Sequence, residues 1–143
     1  MTALAIGTLA AAVRAARAAW PNEICGLLVG RPRAAALSIR LTAGSANTPL
    51  SFRIADGEIA QVERSLEGSG EIVRGCFHSH VFGRAMPSRR DAAGAVHRGE
   101  LWLIYSLRER RLRLFEWTGS AFHRRHLRIV RDRRGGGTGL GSR

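Results

Sequence analysis

Residues 71–91 read EIVRGCFHSHVFGRAMPSRRD, and this stretch decides the fold. Residues 71–80 are expected to form a strand, with Ile72 and Val73 leading into Cys76 and Phe77. Residues 81–87 read as a loop. Ser88 then starts a short helix expected to reach about His97. Alternate side chains of a strand share a face, so His78 and His80 leave the same side with Cα atoms about 6.5–7 Å apart. Ser88-x-x-Asp91 is a capping box, with Ser88 at the N-cap and Asp91 at N3. It puts the Asp91 carboxylate in the first helical turn, facing the strand tip that carries His80.

Two imidazoles, a hydroxyl and a carboxylate thus fall within fourteen residues of a chain that has five His in all. Neutral imidazole is the commonest zinc ligand, and Asp91 is a suitable third. Three protein ligands leave a fourth position to water, the mark of a catalytic rather than a structural zinc site. Each half also has a plain reading. The His pair alone could be two surface residues, and the Ser-x-x-Asp alone a helix cap. The cap is compatible with metal binding, because it would aim Asp91.

Working outward, Ile6, Leu9, Val13, Ala16 and Trp20 recur at helical steps, and Pro21 ends that helix. Residues 25–29, CGLLV, read as a buried strand, 37–41 as a half-exposed one, 44–49 as a loop and 51–54 as a short strand. Asp56 is positioned to cap a second helix whose inner face is Ile59, Val62 and Leu66. Residues 101–105 and 112–117 read as a hairpin around Glu109-Arg110, and 122–130 as a last strand. Strands interspersed with three helices give an α/β or α+β fold built on one mixed sheet. The folded unit is expected over 1–130, and the Arg/Gly-rich segment 131–143 is expected to be flexible.

A zinc-activated water needs a base. No acid follows the histidines closely, and the best candidate is Glu23, at the entrance to the strand 25–29. The same residue could be an ordinary solvated loop glutamate. Cys76 and Cys25 read as reduced, buried thiols, which suits the cytoplasm. Ser79 points away from the ligand face and is expected to pack or bond backbone. His97, His123 and His126 have no partner at ligand spacing and read as surface residues.

The formal net charge is +12 in 143 residues, and every one of its 23 Lys+Arg positions is Arg. Aromatic content is 6%, and no basic run is interleaved with aromatics, which argues against a base-stacking platform. Residues 1–20 are Ala-rich, but Arg14 and Arg17 interrupt them and there is no positive n-region, so they read as a helix and not as a signal or membrane span.

Glu23, His78-Ser79-His80, Ser88 and Asp91 together resemble the JAMM (JAB/MPN) metalloprotease signature, an upstream Glu followed by H-[ST]-H-x7-S-x-x-D. Residues 20–30, WPNEICGLLVG, resemble the family's P-x-E-x-C-G-L-L-x-G opening, and Asn47, Pro49 and Phe52 its N…P…F segment. Val81 stands where the family usually has Pro. The resemblance implies a single MPN-like domain, a curved mixed sheet flanked by helices. It implies zinc on His78, His80 and Asp91, Glu23 as general acid/base, and Ser88 stabilising the oxyanion. The compact, insertion-free chain resembles the bacterial-type branch. That implies hydrolysis after the Gly-Gly terminus of a ubiquitin-like or sulfur-carrier protein. A noncatalytic MPN-type binding module and a basic nucleic-acid-binding protein are the alternative readings.

Overall fold

The run leading to the histidines is β4, Ile72–His80, and it lies near the middle of an eight-stranded mixed sheet. The computed structural model describes residues 1–44 and 47–132; the expected tail from 133 onward lies outside the described residues. The elements are β1 (Thr2–Ala5), α1 (Ile6–Ala18), β2 (Cys25–Gly30), β3 (Ala36–Thr42), α2 (Asp56–Ser65), β4, α3 (Arg89–Gly94), β5 (Leu101–Ser106), β6 (Arg111–Trp117), β7 (Phe122–Arg125) and β8 (Leu127–Val130). The sheet order is β7-β6-β5-β4-β2-β3-β1-β8. Strand β4 pairs antiparallel with β2 and parallel with β5, so the histidine strand is hydrogen-bonded on both sides.

Strands β7 and β8 are separated by His126 alone, yet they occupy opposite edges of the sheet. The sheet therefore curls into a near-barrel. One strand over 122–130 was expected; the structure breaks it in two. The reason is a change of partner. Phe122 packs with Phe115 and Trp117, whereas Leu127 packs on the other face with the core under α1. Strand β7 pairs antiparallel with β6 and β8 parallel with β1, at opposite edges of the sheet, so one straight strand cannot serve both partners.

Helix α1 covers one face, over a core of Leu4, Leu28, Phe77, Leu103 and Leu114. Each such side chain contributes roughly 1.5–3 kcal/mol on burial. The buried stripe of α1 is Ala12 and Ala16 with Leu9 and Val13 beside it; Ile6 and Trp20, expected on it, are exposed. Trp20 falls beyond the helix, which stops at Ala18. The second face carries Cys76, Trp102, Ile104 and Phe115, with Phe52, Ile54 and Phe122 packed against them.

Four expectations shift locally. Helix α2 begins one residue earlier than Asp56 would set as cap: Ala55 is the N-cap, and the Glu58 carboxylate accepts from Ala55 N (3.1 Å) and Gly44 N (3.2 Å). Asp56 sits instead in the first turn, where a negative charge suits the helix dipole. Residues 51–54 form no strand, only a Thr48–Ser51 bridge, because the Asn47 side chain accepts from Arg53 N (3.1 Å) and turns Phe52 and Ile54 inward. Helix α3 ends at Gly94, not His97, since Gly is a poor helix former and Ala95 is already extended. Residues 2–5, read as helix, form β1. Among the described residues, no helix is long and apolar enough to cross a membrane.

A bulge in β4 sets the histidines' position. Leu28 pairs with Gly75 and Val29 with Val73, which leaves Arg74 as an extra residue. Gly75 is required there: a Cβ would collide with the Leu101 carbonyl of β5.

Candidate metal centre

Strand β4 sends both imidazoles to the same face, and the three nearest heteroatoms form a small triangle. His78 Nε2 and His80 Nε2 are 3.0 Å apart, and Asp91 Oδ2 lies 3.3 Å from the first and 3.2 Å from the second. A tetrahedral zinc with bonds of about 2.0–2.1 Å would hold its ligand atoms about 3.3–3.4 Å apart. The donor set present fits that ion. Glu23, His78 and His80 form a second such group, each offering a ligand atom within 4.8 Å of the others.

The capping box forms as the sequence predicts. Ser88 Oγ accepts from Asp91 N at 3.1 Å, and Asp91 Oδ2 accepts from Ser88 N at 2.8 Å. The oxygen that completes the cap is the one that faces both histidines. His80 is oriented by its other nitrogen, Nδ1, which donates to the Arg84 carbonyl at 2.7 Å, a typical support for a metal-binding imidazole. His78 is held by packing instead. It stacks on Phe52 (centroids 4.2 Å, 20° between planes) and abuts the edge of Trp102, and its Nδ1 is buried with no hydrogen-bond partner.

Glu23 is buried, 4% exposed, one residue ahead of a backbone clamp. Ile24 N donates to Ser79 Oγ (2.8 Å), and Ser79 N donates to Ile24 O (3.0 Å). Glu23 N donates to Thr48 O at 3.0 Å. Ser79, on the face away from the imidazoles, thus fixes the segment that carries Glu23 against the strand that carries the histidines. Ser79→Ala leaves the Ile24 amide without its partner, and the expected cost is about 1–3 kcal/mol. A urea-denaturation midpoint equal to that of the wild type would sink this assignment.

Charge follows burial. Desolvation pushes the Glu23 carboxyl up to about 7, with His80 and Arg90 opposing and Asp91 adding to the rise. Burial also acts to raise Asp91, but hydrogen bonds from His78 and His80 and from the Ser88 amide outweigh it and hold the carboxyl below the usual carboxylate range. Burial lowers His78 against the pull of Asp91. For His80, burial is outweighed by Asp91 and the Arg84 carbonyl, and the pKa rises. An ionised Asp91 beside a neutral His78 is the protonation state that metal ligation needs.

All five residues singled out from sequence, Glu23, His78, His80, Ser88 and Asp91, come together. Glu23, His80 and Ser88 also share a cleft of about 130 Å³ with Pro49, Leu50, Val81, Phe82 and Gly83. Val81 is buried in its wall. Two contributors were not legible as site residues: Phe52, quoted for its spacing but not as the stacking partner of His78, and Arg84, which acts through its backbone. Neither thiol joins the group. Cys25 Sγ lies 3.3 Å from Thr42 Oγ1, and burial pushes the Cys76 thiol well up. His97, His123 and His126 are exposed.

Residues 6–118 match the family described as prokaryotic homologs of the JAB domain. The desampylase of Haloferax volcanii is 28% identical over 104 residues, 71% of this chain and 74% of that protein. The CysO-cysteine peptidase of Mycobacterium tuberculosis is 32% identical over 104 residues, covering 69% and 68% of the two chains. A solution structure of a Desulfitobacterium hafniense protein superposes with a TM-score of 0.78 at 25% identity, over 92% of this chain and 94% of that one.

Proposed function

Because the chain belongs to the family of prokaryotic JAB-domain homologs, we propose that it is a zinc-dependent peptidase or isopeptidase that hydrolyses the bond after the C-terminal Gly-Gly of a ubiquitin-like or sulfur-carrier protein. The observation that carries this reading is a buried carboxylate, Glu23, set beside two histidines in a cleft that also holds Ser88. A binding module has no use for a buried, proton-holding Glu in that place.

His78, His80 and Asp91 would hold the metal. Zinc, when bound, supplies a Lewis acid that polarises the scissile carbonyl and makes water nucleophilic near neutral pH. Glu23 takes the proton of the attacking water and returns it to the leaving amine; burial that lifts its pKa to about 7 matches it to both tasks. Ser88 is exposed at the cleft, its oxygen accepting from Asp91 N. Its O–H is left to donate to the carbonyl oxygen as charge develops, a contact worth about 2.7–4 kcal/mol where measured in other hydrolases.

The cleft at Glu23 is small, and a Gly-Gly tail, which has no side chains, suits it. The names of the relatives, a desampylase and a CysO-cysteine peptidase, support a carrier substrate with either a protein or an amino acid as leaving group. Two buried free thiols suit a reducing compartment, and the cytoplasm is the proposed location. The test is incubation of the zinc-loaded protein with carriers conjugated through Gly-Gly. Mass spectrometry should find the carrier ending in Gly-Gly; intact conjugate throughout would dismiss the reading.

A further inference from the structure

The strand register carries the face of the metal site outward across two more strands, and that surface is basic. His80 pairs with Ser106 of β5, and Ser106 with Arg111 of β6. His78 pairs with Ile104, and Ile104 with Arg113. Cys76 pairs with Trp102, Trp102 with Phe115, and Phe115 with Arg124 of β7. Paired residues share a face. Arg111, Arg113 and Arg124 therefore stand on the same side as the metal ligands. At a strand spacing of about 4.8 Å, Arg111 lies about 10 Å from the His80 backbone.

The two faces of this edge differ in how their charge is balanced. On the α1 side, Arg125 is paired with Glu116. On the site side, none of Arg111, Arg113 and Arg124 makes a salt bridge among the described residues, and Arg111 and Arg124 are exposed. Glu109, the acid nearest Arg111 in sequence, is engaged with the Ala85 amide at 2.6 Å. The aromatic residues within these rows, Trp102 and Phe115, are buried, so no ring is offered for bases to stack on. An acidic protein surface fits this patch better than a nucleic acid does.

We propose that the arginine apron of Arg111, Arg113 and Arg124 is the docking surface for an acidic face of the carrier protein, which it holds while the carrier's tail reaches the cleft. This rests on the reading of the site as a carrier hydrolase, and it adds the residues that select the carrier body. The tail alone gives little specificity, since two glycines carry no side chains. The apron would supply the missing recognition by charge and speed the encounter.

The experiment measures binding without turnover. The zinc-loaded Glu23→Gln protein is titrated calorimetrically with an acidic ubiquitin-like sulfur-carrier protein ending in Gly-Gly, at low and at physiological salt. Arg111→Glu with Arg124→Glu should weaken binding at least about tenfold and flatten its salt dependence. A charge-matched control pair on α1, Arg14→Glu with Arg17→Glu, should change it less than about threefold. Equal effects of the two pairs, or none from the first, would overturn the proposal. So would a labelled single-stranded DNA that binds this patch more tightly than the carrier does. If the carrier binds as expected but wild-type protein never cleaves its conjugates, the hydrolytic reading fails and the docking surface stands.

Discussion

Asp91→Ala is expected to strip the protein of zinc and of all turnover, with a loss of metal affinity beyond the roughly 10- to 100-fold that removal of a mere supporting group costs. Asp91 Oδ2 is within 3.3 Å of both histidine Nε2 atoms and 2.8 Å from Ser88 N, so one oxygen caps the helix and would serve the proposed metal. Deleting it also removes half of the cap on α3, a further cost of about 0.5–2 kcal/mol. The two effects separate in Asp91→Asn. An amide oxygen still accepts from Ser88 N, so the fold is largely kept, but it is a neutral and weak ligand. Metal content by elemental analysis and affinity by calorimetry decide the matter. Zinc content unchanged in Asp91→Ala would overturn the ligand assignment.

Glu23→Gln should separate activity from stability in opposite directions. The glutamine cannot take a proton, so kcat should fall about 10²- to 10⁴-fold while zinc remains bound. Stability moves the other way. Folding raises the Glu23 carboxyl from its ordinary 4.5 to about 7, so the folded chain holds that proton more tightly than the unfolded one. The resulting stabilisation is complete below pH 4.5 and is lost as pH rises through 7. Above that, wild type must bury a charge, and glutamine has none. The chelated Glu23→Gln protein should therefore be about 3 kcal/mol more stable than chelated wild type at pH 8, and the advantage should vanish at pH 4. Urea titrations at the two pH values test this. A constant difference across them would show that the Glu23 carboxyl is not desolvated.

Local signals in the sequence survived folding; nonlocal ones did not show. His78 and His80 share a face by strand parity, and Ser88 caps through Asp91 by helix geometry, so both could be read within a few residues. The strand containing Cys25 and the hairpin from Leu101 to Trp117 were equally plain, because their apolar runs are long for their length. Residues 2–5 were not. Thr-Ala-Leu-Ala has no strand preference of its own and continues the alanine-rich pattern of α1; it is a strand because β3 and β8 flank it. Glu23 is the intermediate case. Its place at the entrance to the strand 25–29 makes it a candidate base, nothing near it in sequence distinguishes it from a loop acid, and the likeness to a family pattern singles it out. What brings it to the histidines is the bond pair between Ile24 and Ser79, a contact across fifty-five residues. The separation of β7 from β8 escaped for the same reason: the residues 122–130 keep one alternation, and the destination of each half is set by partners far away.

That separation has a consequence for how the protein is made. Strand β1 is synthesised first and β8 last, yet the two are parallel neighbours over four residues, from Thr2 with Leu127 to Ala5 with Val130. Until residue 130 has cleared the ribosome, a nascent chain can assemble the histidine strand and its neighbours but must leave one side of β1 with bare amides and carbonyls. Such an open edge invites pairing with other chains. The residues proposed to hold the metal are all in place by residue 91, so the candidate site is translated long before the barrel-like wall can be sealed. Chaperone demand and aggregation during overexpression should fall on that interval.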